Sequence, residues 1–298
     1  MGGSQIPQLN LFIKNKADRN SYVRALNFWN LVSVEVKQSH KLYGKKDSDA
    51  LKEYYKNIFN EKQYNKYISH YYALRLTPLV KNIKDNIKIL DAGCGTGTEA
   101  LLCGFLGGNV LGIDISKKRI NVAQKRKNYF IEEFKKEMAV EFKLKNIFEV
   151  QGKFDLIWVN EAISHIDPVE KFLKFCYNNI KIGGKILIAD GNNLNPYLFL
   201  NNKKEQKRKG SIYIIKLHPI TGEKISYAVE RCFSILNIKK MLSRYFEIEM
   251  IFPFSYIPFF ISKKFENIAK YLEYNIFRKL PIIKLLSVSY VIVATKLK

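Results

Sequence analysis

Cysteine is scarce in this chain: four in 298 residues, at Cys94, Cys103, Cys176 and Cys232. No two form a C-x-x-C pair and none has a histidine at ligand spacing, so zinc-ribbon and zinc-finger classes drop out and no metal is expected. Single cysteines in a glycine turn and in helical patterns suit a reducing compartment. Long apolar runs are missing too. Apolar uncharged stretches such as Met250 to Ser262 and Leu285 to Thr295 fall short of the roughly 20 residues that span a bilayer. Met1 to Asn10 is polar with no apolar core behind it, so no signal peptide is expected and the sequence points to the cytoplasm. Acidic residues are the last shortfall: 27 Asp and Glu against 50 Lys and Arg, a net charge of +23. Such an excess draws polyanions, whether nucleic acid, anionic lipid or a phosphorylated substrate. Yet the basic residues run along the whole chain with only short clusters, such as Lys203-Lys204 and Lys207-Arg208-Lys209. A nucleic-acid face concentrates its charge. A composition rich in Lys, Asn and Ile is the better account of the excess.

The stretch that organises the rest is Ile87 to Ser116. An apolar run (Ile87, Ile89, Leu90) ends in Asp91, and glycines follow at alternate positions, Gly93, Gly95 and Gly97. A helical pattern from Glu99 to Leu106 leads through Gly107-Gly108 to a second apolar run ending in Asp114. That order, strand, glycine turn, helix, strand and acid, makes one βαβ unit. Glycine permits the sharp strand-to-helix turn and lets a ligand lie against bare backbone. An acid ending the second strand can accept both hydroxyls of a ribose. The spacing is G-x-G-x-G, with Thr98 where a dinucleotide fold needs its third glycine. Asp91 beside the turn would repel a diphosphate and favour a cation.

The stretch DAGCGTG (Asp91 to Gly97) resembles motif I of the class I S-adenosylmethionine (SAM) methyltransferases, and GIDIS (Gly112 to Ser116) resembles the acidic strand end that follows it. The resemblance covers about residues 85 to 192. It implies an α/β fold: a seven-stranded, mostly parallel, doubly wound Rossmann-like sheet. It also implies a cofactor, SAM, leaving as S-adenosylhomocysteine, with no metal. By the resemblance, Asp91, Ala92, Gly93, Cys94, Gly95 and Gly97 surround the methionine end. Asp114 and Ile115 take the ribose, Asn146 and Ile147 the adenine, and Asn160 and Glu161 lie under the methionine. Asn146 stands where the family commonly has an acid, and its carbonyl can accept from the adenine amino group. A helix before motif I often caps the methionine end in the family, which makes Tyr72 and Arg75 candidates, with Tyr67 and Tyr71 near them; a ring face can hold a sulfonium. The strand end Asn160-Glu161-Ala162-Ile163-Ser164-His165 resembles motif IV of the small-molecule branch, similar to the ubiquinone and menaquinone-biosynthesis type. It lacks the N-P-P-Y tetrad and the Pro-Cys nucleophile of nucleic-acid methylating enzymes. The expected acceptor is therefore a small or lipid-linked molecule; an RNA or tRNA acceptor and a non-catalytic SAM-binding partner subunit are the alternatives.

Four regions are expected: a helical extension over 1–85, a SAM-binding core over 86–194, an insertion over 195–235 that forms a substrate lid, and 236–298 returning to the sheet. That last region carries a helical insertion over 253–281. Expected elements include an amphipathic helix through Leu26, Trp29, Val32 and Val36 and a long helix from Lys117 capped by Ser116. Strands are expected at Val140 to Leu144, Phe154 to Val159, Lys185 to Ala189, Phe246 to Phe252 and Ser287 to Thr295, with Lys181 to Gly184 as a turn. For acceptor chemistry His165, Glu161 and His218 are candidates, His165 as a general base with an ordinary pKa of about 6.5. The segment Pro253 to Pro281, basic and apolar, could rest on a membrane as a peripheral contact.

Overall fold

The computed structural model describes residues 16–55, 66–217, 221–229, 231–258 and 264–298. Seven strands form one sheet: β1 (Lys88–Ala92), β2 (Asn109–Asp114), β3 (Val140–Leu144), β4 (Phe154–Asn160), β5 (Ile180–Gly191), β8 (Glu247–Phe254) and β9 (Ser289–Thr295). Their order is β3-β2-β1-β4-β5-β9-β8. Every pair is parallel except those of β9, which runs antiparallel to both β5 and β8. The strand order reverses between β1 and β4, and the crevice outside their carboxyl ends is where such sheets receive ligands.

Neighbouring residues on each central strand point to opposite layers. Ile89, Leu156, Trp158 and Leu187 join one buried cluster, while Leu90, Ile157, Val159 and Ile186 join the other. This is why FDLIWV reads as continuous apolar sequence: both faces of a parallel sheet are covered. The first layer holds α1 (Lys16–Tyr54), α2 (Lys66–Asn82), α3 (Thr98–Phe105) and α4 (Lys117–Phe134). The second holds α5 (Val169–Asn179) and α7 (Ile235–Leu242). The expected stripe on α1 is used as such, with Trp29, Val32 and Val36 buried and Trp29 stacked on Tyr72 at 3.9 Å between ring centroids. Ser116 caps α4 as its sequence suggests, accepting the Arg119 N–H.

One local expectation gives way, and two elements add to what was expected. Helix α1 continues past Val36 to Tyr54 but breaks at Gly44, whose φ of 74° and ψ of 170° no helix contains. The pair Gly183-Gly184 is not a turn. Strand β5 starts at Ile180 and runs through both glycines, the Gly183 N–H donating to the Lys296 carbonyl at 2.7 Å. Gly184 has no room for a side chain, since a Cβ would lie 2.9 Å from the Asp155 carbonyl oxygen. The segment after β5 opens with a helix, α6 (Pro196–Lys209), capped by Asn195, before the hairpin of β6 (Tyr213–Leu217) and β7 (Lys224–Ala228). Between β8 and β9 lies α8 (Glu266–Asn275).

Candidate functional site

At the carboxyl ends of β1, β2, β4 and β5 a cavity of about 980 Å³ opens. One wall comes from the glycine turn and β2, a second from the end of α1, and a third from α6 and the β6–β7 hairpin. The volume lies at the upper end of the roughly 300–1,000 Å³ typical of small-molecule sites.

The turn after β1 is held by backbone. The Gly93 and Cys94 N–H groups both donate to the Ile113 carbonyl, at 2.9 and 2.8 Å. The three glycines serve different ends. A Cβ on Gly95 would fall 2.6 Å from the Tyr54 hydroxyl, so this glycine admits the end of α1. A Cβ on Gly97 would fall 2.5 Å from the Phe142 ring, so that one lets α3 approach β3. Only Gly93 of the three lines the cavity. Ala92, Cys94, Gly95 and Gly97 support the cavity from behind.

Asp114 faces the cavity from the end of β2. Its Oδ2 accepts the Gly95 N–H at 3.0 Å and its Oδ1 the Ser116 N–H at 2.8 Å, which fixes the carboxylate beside the turn. Ile115 follows it on the cavity wall. Asn146 and Ile147 line the same side. The Asn146 side chain also caps a short 3₁₀ turn, its Oδ1 accepting the Phe148 N–H at 3.2 Å, while Glu149 returns the bond to the Asn146 N–H. The amide orientation is thereby set.

Asp91 lies deeper than its motif position suggests. It is buried outside the cavity wall, accepts the Ala100 N–H, and leaves Oδ2 without a partner. Burial first, and the Glu99 charge next, push its carboxyl well above the usual range. The acid that does reach the cavity at this corner is Glu99, on the first turn of α3. Its Oε1 accepts the Asn160 amide at 2.9 Å, and the Asn160 Oδ1 accepts from Arg75 Nη1 at 3.2 Å. Arg75 also pairs with Glu161 at 2.6 Å, donates to the Tyr71 hydroxyl, and lies over the rings of Tyr71 and Tyr72. Glu161 adopts a φ of 49°, a left-handed conformation rare outside glycine, and such residues gather at functional sites. Tyr72, Arg75, Asn160 and Glu161 all line the cavity. The side chain of Tyr67 lies outside the described residues.

His165 stands opposite, in the loop after β4. Its Nδ1 lies 2.9 Å from the Ala228 carbonyl, which can only accept, so the ring proton sits on Nδ1. The ring stacks on Tyr227 at 4.8 Å, and Lys216 Nζ lies 3.1 Å from the Tyr227 centroid. His218 falls outside the described residues. The cavity residues that escaped the sequence analysis include Glu99, Asp190, Asn202 and Lys216. Glu99 and Asp190 carried a faint signal, Glu99 two residues past the last glycine and Asp190 at the end of an apolar strand.

The donor set suits SAM. Asp114 can offer carboxylate oxygens to a ribose, Asn146 and Ile147 can border a purine, and Glu99 can offer a carboxylate to an ammonium group. Gly93 brings bare backbone to the cavity wall, where a Cβ would fall 2.8 Å from that of Ala162. Among the described residues no group of three His, Cys, Asp or Glu could hold a metal ion.

Sheet order, glycine turn and acidic strand end together define a Rossmann-like protein that binds a nucleoside-bearing cofactor. The family model for a methyltransferase domain matches residues 83–247, more than half of the chain. The chain belongs to this family, the class I SAM-dependent methyltransferases, and its cofactor is SAM. It is 33% identical over 138 residues to the ubiquinone biosynthesis O-methyltransferase of Pelagibacter ubique, covering 45% of this chain and 52% of that protein. It is 31% identical over 110 residues to the mitochondrial ubiquinone biosynthesis O-methyltransferase of Mus musculus, covering 36% of this chain and 29% of that one. The matches thus span about half or less of these relatives. A SAM-dependent methyltransferase from Methanosarcina mazei superposes with a TM-score of 0.51 at 22% identity, covering 74% of this chain and 97% of that one. The magnesium protoporphyrin IX methyltransferase of Synechocystis, solved with bound S-adenosylhomocysteine, gives 0.50 at 14% identity over 85% of this chain and all of its own. At these identities the structural likeness speaks for the fold alone.

Proposed function

We propose that the chain transfers a methyl group from SAM to a hydroxyl oxygen of a small or lipid-linked acceptor. The observation that carries the proposal is the continuity of this cavity. It joins the glycine turn and Asp114, at the cofactor end, to a second wall of α6, the hairpin, His165 and Asp190. The names of the Pelagibacter and mouse relatives favour oxygen as the atom methylated.

SAM supplies an electrophilic methyl on a sulfonium. The chain's task is largely to hold the acceptor in line with it and keep water out. In this reading Asp114 takes the ribose, Asn146 and Ile147 the adenine, and Glu99 with the backbone at Gly93 the methionine end. Asn160, Tyr72 and Arg75 hold the Glu99 and Glu161 carboxylates in place around it. The hairpin and α6 act as the substrate lid and the end of α1 as the cap over the cofactor. His165 and Glu161 lie on the acceptor side.

The lipid-linked acceptor draws support from the outer face of that lid. Ile215 and Leu217 are 63% and 67% exposed on β6, and Phe199 and Leu200 are exposed on α6 beside Lys203, Lys204, Lys207 and Arg208. Apolar side chains ringed by cations suit the surface of an anionic bilayer. Ile268, Tyr271 and Ile282 extend such exposure into the stretch between β8 and β9.

Tritiated SAM incubated with a cell extract, then split into lipid, small-molecule, RNA and protein fractions, tests the proposal. Label is expected in the lipid or small-molecule fraction and absent with Asp114→Ala. That variant should bind SAM about 10- to 100-fold more weakly by calorimetry, the cost of losing charge-assisted bonds. Label confined to RNA or protein would overturn the proposal, and SAM binding without any label would make the chain a non-catalytic partner.

A further inference from the structure

Strand β5 delivers Asp190 to the cavity next to Asn160, and nothing in the cofactor cradle calls on it. Asp190 is 3% exposed. Its Oδ1 accepts the Gly191 N–H at 2.6 Å and its Oδ2 the Ser164 N–H at 3.3 Å, both neutral backbone donors. Among the described residues neither oxygen forms an ion pair. The groups that face it are the Glu161 carboxylate from the loop after β4, the Arg75 guanidinium from α2, and Tyr290 from β9, with Cys232 beside Tyr290. Burial, reinforced by Glu161 and only partly offset by Arg75 and the two N–H donors, pushes the Asp190 carboxyl up to about 7. A carboxyl poised there can take a proton at neutral pH and release it again.

Helix α6 brings a second unused group over the same floor. Gly191 has no Cβ, and Leu198 Cδ1 closes to 3.4 Å of where one would sit. Asn202 follows Leu198 by one helical turn and so shares its face. It lines the cavity, is 5% exposed, and its Nδ2 has no hydrogen-bond partner. A buried donor left unmade is costly in a folded protein, and a bound ligand that accepts from it removes the cost.

We propose that Asp190 and Asn202 form the acceptor subsite: Asp190 is the base that takes the proton of the hydroxyl to be methylated, and Asn202 donates from Nδ2 to a second acceptor oxygen. The proposal rests on the O-methylation reading above. The acceptor O–H bond breaks and its proton passes to the Asp190 carboxylate. The O–CH3 bond forms as the sulfonium C–S bond breaks, with that electron pair staying on sulfur. The products are the methyl ether, neutral S-adenosylhomocysteine and a protonated Asp190, which returns its proton to solvent. A base of this strength matches a phenolic or enolic hydroxyl, with a pKa of about 10 for the phenol of tyrosine, and not an aliphatic alcohol.

The test compares the wild-type chain with Asp190→Asn and Asn202→Ala, using tritiated SAM and the lipid and small-molecule extract fractions as acceptor. Wild-type labelling should rise with pH through neutrality as one group ionises. Asp190→Asn should lower the rate about 10²- to 10⁴-fold and flatten that profile, with SAM affinity by calorimetry within about twofold of wild type. A ¹³C-aspartate carboxyl resonance titrating near neutrality in the wild-type protein should disappear in Asp190→Asn. Asn202→Ala should raise the half-saturating acceptor concentration about 3- to 10-fold, as for one lost hydrogen bond, and keep the pH profile. If Asp190→Asn does not fold, Asp190→Glu replaces it and should shift the profile along the pH axis. A labelling wild type whose Asp190 variant keeps both rate and profile overturns the subsite while leaving the methyl transfer intact. A wild type that binds SAM and labels neither fraction overturns the methyl-transfer reading itself.

Discussion

Asp190 holds a proton more tightly in the fold than in the unfolded chain, since burial raises its carboxyl from an ordinary 3.8 to about 7. Between those two values the folded state binds more protons, so stability falls as pH rises through the window and the full penalty applies above it. At ~1.36 kcal/mol per unit the penalty reaches at most about 4 kcal/mol. Asp190→Asn should therefore be more stable than wild type at pH 8 and no different near pH 4, as measured by urea denaturation across that range. Equal stability at both ends would mean the carboxyl ionises in the fold as it does in water. Single residues also mark where the sequence was hardest to interpret. Motif I places an acid at Asp91, but a strand sends alternate side chains to opposite layers, and this one is buried behind the turn. The acid at the cavity corner, Glu99, sits on a helix whose rotation no glycine motif specifies.

At the scale of elements, α1 and α4 are joined by a buried ion pair that also reaches the glycine turn. Arg126 donates from Nε and Nη2 to both Glu35 oxygens at 2.6 and 2.7 Å, and from Nη1 to the Thr96 carbonyl at 2.8 Å and the Thr98 hydroxyl at 2.7 Å. Tyr43 donates a further bond to Glu35. Removing one partner leaves a buried charge uncompensated, so Glu35→Gln should cost about 3–5 kcal/mol in guanidinium unfolding. A joint Glu35→Leu and Arg126→Met replacement should recover much of that while weakening SAM binding, because the turn loses its support. The strands and the βαβ unit were legible because their signals are local: apolar runs, glycines and terminal acids within thirty residues. The ion pair was not, because Glu35 and Arg126 lie 91 residues apart. Helix α6 escaped because its lysines and asparagines show no apolar stripe, although Asn195-Pro196 is a readable start. The Gly183-Gly184 pair suits a turn or a tight strand equally, and only the crowding against β4 decides it.

For the whole molecule, the charge of +23 and the exposed apolar side chains of α6 and the β6–β7 hairpin make one joint prediction. Phosphatidylglycerol-rich vesicles should retain the protein, phosphatidylcholine vesicles should not, and retention should fall between 50 mM and 500 mM salt as screening shortens to roughly 4 Å. Ile215→Glu with Leu217→Glu should weaken retention without changing SAM affinity; unchanged retention would remove the hairpin from the contact. Seven strands in one sheet were foreseeable from the family pattern, since each carries its own apolar run, whereas the wall that α6 and the hairpin build over the cavity needed the three-dimensional fold.

Strand β9 sets an order on how the molecule comes into being. It pairs with β5 along its full length, placing Tyr290 opposite Asp190, yet it is made about a hundred residues later. Synthesis at ~5–20 residues per second leaves the β5 edge bare for roughly 5–20 s while β1 to β4 are already available to pair. A nascent chain can thus shape its cofactor turn long before its acceptor floor, and meanwhile it offers the crowded surroundings an open strand edge. That interval is when a chaperone would matter most to its yield.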